Sequence, residues 1–224
     1  MNFQDIAHRL NHGELQQLAI SRQLVEFPNP DTIRHIVSSV NLGLTALYKR
    51  FKLKTAQLNL PLDPEIQAYP LDAPDVLKVL QVTTESGQGL PLNDTASEYS
   101  CFTPSAKVLK VHRKVVEKSP DLPEAYRTNS LDVEYQANHP RVDWNQVFGQ
   151  GMESVELELP ETHLMALLFF VASCEHMPVG MVNEHHAGNN FYSKYEAEVP
   201  RLMFEGMDTT SVASNTRLQR AGFA

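Results

Sequence analysis

Ten of the fourteen prolines fall between residues 61 and 160. Proline lacks the amide hydrogen that an interior helical turn needs, so this stretch cannot hold long helices. On either side the pattern is different. Asn29 suits an N-cap and Pro30 a first helical position. Ile33, Ile36, Val37, Val40, Leu44, Leu47, Tyr48 and Phe51 then form one apolar stripe of about five turns. An earlier helix is expected from Asn2, with Phe3, Ile6 and Leu10 on its inner face. "NHG" interrupts it and "ELQQLAIS" resumes it. Helix returns at Pro160, and Leu164–Cys174 is apolar nearly all round, which predicts a central helix. "MPVG" should break it, and a last helix from about Val182, carrying Phe191, Tyr195, Val199 and Leu202, should be kinked by Pro200 or have its first part end there.

Between the helical ends lie short β-branched or alternating runs: "LKTAQLNL", "IQAYPL", "VLKVLQVTT", "AKVLKVHRKVV", "LDVEYQA" and "SVELEL". Turn-like clusters separate them, so about six strands are expected. The predicted class is α+β. Helices of residues 1–51 and 160–206 form a bundle, because neither pair can bury its stripe alone. Residues 52–159 form an inserted β-rich domain. Residues 207–224 have little periodicity and are expected to be a flexible C-terminal arm that orders only on a partner.

The net charge of −8 is uneven: +3 over residues 1–60, −8 over 61–160 and −3 over 161–224. Gripping DNA needs clustered Lys and Arg, which argues against a specific DNA binder. The longest uncharged apolar run, "LMALLFFVASC", is about half of the roughly 20 residues a membrane span needs. The first residues carry Asp5 and His8 and show no apolar secretory core, so a cytoplasmic start is expected. Two cysteines, Cys101 and Cys174, make no disulfide framework.

Two stretches are rich in chemistry. "CEHMPVGMVNEHH" gathers Cys174, Glu175, His176, Glu184, His185 and His186, every one a possible metal ligand. Ligands on one helix should sit at i and i+4. No two of the six do. A solvated, capping helix corner is the plainer reading, and the competing one is a metal-dependent hydrolase built on Cys174, His176, His185 and His186. No catalytic residue, cofactor or metal is expected. The second stretch, "YKRFKLK", offers Lys49, Arg50, Lys52 and Lys54 for an acidic partner, although cations also relieve a helix C-terminus. A regulator that binds through this run alone would be a monomer or dimer. Nucleophile elbows and phosphate loops are missing, and Glu156 and Glu158 alternate with apolar residues as on the polar face of a strand.

The order of pieces resembles a known family. "HGELQQLAI", "SSVNLGLTALYKRFKLKTAQLNL", "LPLND", "LDVEYQANHPRV", "LPETHLMALLFFVAS" and "GNNFYSKYEAEV" together are similar to the head-to-tail adaptors of short-tailed bacteriophages, the tail tubular protein A-like group. The resemblance spans about residues 3 to 206 and rests on distributed structural residues. It implies a non-enzymatic virion protein, made in the host cytoplasm, that forms a ring of usually twelve copies. That ring sits beneath the portal and above the tail nozzle, closes the head and lets genomic DNA pass. Residues 41–54 would lie on the long bundle helix. The arm would dock on portal, so Arg217 and Arg220, together with Lys49, Arg50, Lys52 and Lys54 of the basic run, are the expected interface residues.

Overall fold

The computed structural model describes residues 1–16, 18, 23–25, 28–176 and 182–206, with 182–186 described by backbone alone. In chain order the elements are α1 (Phe3–His12), α2 (Pro30–Arg50), β1 (Thr55–Pro61), β2 (Ala68–Pro70), β3 (Val76–Thr84), β4 (Gly89–Leu90), β5 (Phe102–Ser105), β6 (Val108–Lys110), α3 (Arg113–Val116), β7 (Ser130–Ala137), α4 (Trp144–Gly149), α5 (Leu164–His176) and α6 (Val182–Phe204). The class is mixed α+β with antiparallel sheets. The chain divides into two compact units, residues 1–53 with 139–224, and residues 54–138.

In the first unit, Asn2 and Asp5 close a reciprocal capping box at the start of α1. Asn29 caps α2 by accepting from Asp31 N at 2.9 Å, and Pro30 takes the first turn. The stripe on α2 is buried from Ile33 to Tyr48. It packs against α5, which packs in turn against α6. Phe170 meets Tyr195 and His176 meets Phe191, so α5 and α6 run antiparallel. Gly43 lets α2 approach α5 closely: a Cβ there would lie 2.7 Å from Leu167 Cδ1 and 3.0 Å from Phe170 Cδ1.

The insert ends earlier than the 159 expected. The second unit closes at Asn138, where Ala137 N donates to Lys54 O at 3.0 Å, so the excursion leaves and returns at one point. Residues 139–159 join the helical unit instead. "SVELEL" buries Val155, Leu157 and Leu159 as its alternation implies, yet it belongs to neither sheet. It pairs with the N-terminus, through Phe3 N to Val155 O at 2.8 Å and Leu157 N to Met1 O at 2.7 Å. Alternation fixes which side chains turn inward, but not which backbone they pair with.

Three further expectations shift. "AKVLKVHRKVV" supplies only three residues of strand before α3 begins, capped by the His112 ring. Residues 41–54 do not form one helix: α2 stops at Arg50 and β1 starts at Thr55. Pro200 does not end α6, which continues to Phe204. The bond it removes is the one to Glu196 O, a turn before the helix ends, and Arg201 ties the turns that follow by pairing with both Glu198 and Glu205. The "MPVG" break, part of "ELQQLAIS" and the arm from 207 lie outside the described residues.

The second unit holds two antiparallel sheets, ordered β1-β7-β3-β4 and β2-β6-β5. The strand prolines, Pro61, Pro70 and Pro104, all sit in edge strands, where a missing donor does least harm. Val82, Leu131, Val133, Leu109 and Val115 form its core with Cys101, whose thiol burial pushes up to about 12 and so keeps unreactive.

Candidate functional site

Glu175 is the one carboxylate inside the otherwise apolar α5, and its side chain is only 1% exposed. It accepts from Ser39 Oγ at 2.6 Å and from His35 Nδ1 at 2.9 Å, both on α2. The three side chains suggest a nucleophile, a base and an orienting acid. Their order is wrong for that chemistry, because serine and histidine both bond the carboxylate and not each other. What the cluster does is tie α5 to α2 with charge-assisted bonds.

The neighbours of Glu175 are also occupied. His176 is buried, stacks on Phe191 with ring centroids 5.1 Å apart, and donates through Nε2 to Glu14 O at 3.1 Å. Cys174 is half-buried, and burial raises its thiol pKa. Glu175 and His176 thus each hold a structural contact. The side chains of Glu184, His185 and His186 lie outside the described residues. Among the described residues no group of three or more His, Cys, Asp or Glu is placed to hold a metal ion.

Of the basic run, Arg50 is committed within its own unit. It forks onto Glu196 at 2.7 and 3.3 Å and lies over the Tyr195 ring at 5.3 Å, joining α2 to α6. That hydrogen bond raises the Arg50 pKa and lowers that of Glu196. Lys49 is exposed at the end of α2, while Lys52 and Lys54 each already hold an interaction. Arg217 and Arg220 lie outside the described residues. The run therefore straddles the division between units, and only Lys49 and Arg50 of it lie on α2.

A second clamp had no sequence signal beyond an inward-facing tyrosine. Tyr48 OH donates to Glu158 O, and Glu158 N donates to His139 Nε2 at 3.0 Å, with the two rings edge-on. His139 Nδ1 therefore carries its proton and gives it to Pro140 O. Burial, with a smaller contribution from Glu158, pushes the Tyr48 pKa up to about 12. An unfolded tyrosine ionises near 10, so this stability is complete below that pH and is lost as pH climbs towards about 12. Tyr48→Phe is expected to cost about 1–2 kcal/mol at neutral pH through the lost hydrogen bond. It should also remove this residue's share, about 1–2 kcal/mol, of the alkaline loss. Urea melts of both proteins at about pH 8 and about pH 11 test it: equal alkaline losses in the two would contradict this account of Tyr48.

The arrangement defines an α+β chain in which Glu175 and Arg50 join helices to one another and Tyr48 joins α2 to the segment around Glu158. No family model matches the chain, and no curated protein matches it in sequence. No described helix is long and apolar enough to cross a membrane.

Proposed function

We propose that the chain is a head-to-tail connector adaptor of a short-tailed phage virion. Copies assemble as a ring, twelve by the resemblance, beneath the portal. There the ring closes the filled head, carries the tail nozzle and lets genomic DNA pass without gripping it. The observation that carries this reading is the single excursion from Lys54 to Asn138. Both chain ends contribute to one helical unit, and an antiparallel β unit is inserted between them. That is the layout the resemblance implies for residues 3 to 206. The polar clusters support a structural role, since Glu175, His176, Arg50 and Tyr48 each bond within their own unit. An acidic chain also offers DNA few phosphate contacts, which suits a channel wall. A ring of identical copies needs heterologous contacts that close. The test is assembly: the mass of the purified chain, alone and with portal rings.

A further inference from the structure

In the helical unit, α2 and the segment leading into α4 enclose a groove of about 550 Å³. Its walls carry Arg34, Ser38 and Asn41 on one side and Arg141, Val142 and Trp144 on the other, and Asp143, also in the lining, caps α4 by accepting from Asn145 N at 3.0 Å. The groove is held open by a rigid frame. Asn41 Nδ2 donates to Val142 O and Val142 N donates to Asn41 Oδ1, both at 2.9 Å, which pins the loop onto α2. The Arg34 guanidinium stacks over the Trp144 ring at 4.3 Å, leaving its N–H edge free to meet an anion. Its only ion pair among the described residues, to Asp31, is loose at 3.8 Å with both side chains more than half exposed. Arg141 is exposed and, among the described residues, has no hydrogen bond or ion pair. Two available guanidinia beside the chain's single tryptophan make a socket for a carboxylate with an apolar neighbour.

The β unit presents that combination. Asp63 to Ile66 form a tight turn, with Ile66 N donating to Asp63 O at 3.0 Å and Glu65 N to Asp63 Oδ1 at 2.9 Å. Glu65 stands exposed at its tip. Ile66, beside it, is 43% exposed and is the one large apolar side chain so exposed among the described residues of this unit. The turn is braced from below by the buried Tyr69. Its hydroxyl accepts from Asp63 N at 3.0 Å and shares its proton between Asp63 O and Ile66 O, at 2.9 and 2.8 Å. A projection held this firmly loses little entropy when it docks.

We infer that the groove is a socket for the Asp63–Ile66 turn of a second copy of the chain, with Glu65 reaching Arg34 and Arg141 and Ile66 lying against Trp144. This rests on the ring reading and gives it a specific side-by-side contact. Plug and socket are different surfaces, so the contact is heterologous and repeats from copy to copy. DNA is a poorer occupant, because a pair of arginines on an acidic chain neutralises too few phosphates.

Charge exchange tests the contact. Trp144 is the only tryptophan, so its emission reports on the groove alone. Full-length wild type, Glu65→Lys, Arg141→Glu and the combined variant are followed by light scattering and tryptophan emission from micromolar to millimolar chain. Each single exchange is expected to weaken association about tenfold or more. The combined variant should recover to within about threefold of wild type, and wild-type emission should shift as copies associate. Ile66→Ala keeps every charge and is expected to weaken association about fivefold. It covers the case of a charge variant that misfolds. A combined variant no better than its worse parent, or emission that stays constant through association, overturns the socket. A wild-type chain monomeric at millimolar concentration also overturns it, while a ring that still forms on portal would leave the adaptor reading intact.

Discussion

Gly43→Val is expected to destabilise the chain by about 3 kcal/mol. The added atoms would meet Leu167 and Phe170 where α2 crosses α5, beginning with a Cβ 2.7 Å from Leu167 Cδ1. Leu167 is fully buried, so it has no solvent to swing into, and a close-packed interior gives way only by shifting a helix. Leu42→Val, one residue earlier and 58% exposed, should cost well under about 1 kcal/mol. Urea unfolding of the pair tests the crossing, because valine has a higher helix propensity than glycine and a loss at position 43 therefore comes from packing. Equal losses at both positions would show that Gly43 is not a contact point.

Glu175→Ala should cost about 2–4 kcal/mol, by removing two charge-assisted bonds and leaving the Ser39 hydroxyl buried without its acceptor. Glu175→Gln, which keeps the shape and some of the bonding, should lose less. The comparison also separates structure from metal chemistry. If Glu175 is a tie between helices, the loss is the same with and without a chelator. A wild-type chain that chelation destabilises as much as Glu175→Ala does would instead make the carboxylate a ligand.

The helical elements were legible because their signals are local. Asn29–Pro30 marked a start that the cap geometry reproduces, and the α2 stripe lists the buried residues almost by name. The β unit was legible as strands, since period-two burial shows in "LDVEYQA", while in "VLKVLQVTT" two register shifts space the buried Val76, Val79 and Val82 three apart. Its far boundary was hidden, because "SVELEL" alternates equally well whether it pairs with a sheet or with residues 1–3. The polar clusters were hidden for a related reason. Glu175 finds Ser39 136 positions away and Tyr48 finds Glu158 110 away, and no spacing rule reaches across such distances. "CEHMPVGMVNEHH" drew notice for its composition, yet what Glu175 does was set by α2. The groove gave no sequence signal either, since Arg34 and Trp144 meet only through the fold.

The central claim is that copies of this chain assemble on a portal. Its most direct test is the mass of the purified chain by light scattering, alone and mixed with portal rings, with metal content read on the same samples. A chain that forms a many-copy ring on portal, with no stoichiometric metal, is the predicted result. A stable monomer that ignores portal and carries one zinc per chain would contradict the account and turn attention to Cys174, His176, His185 and His186.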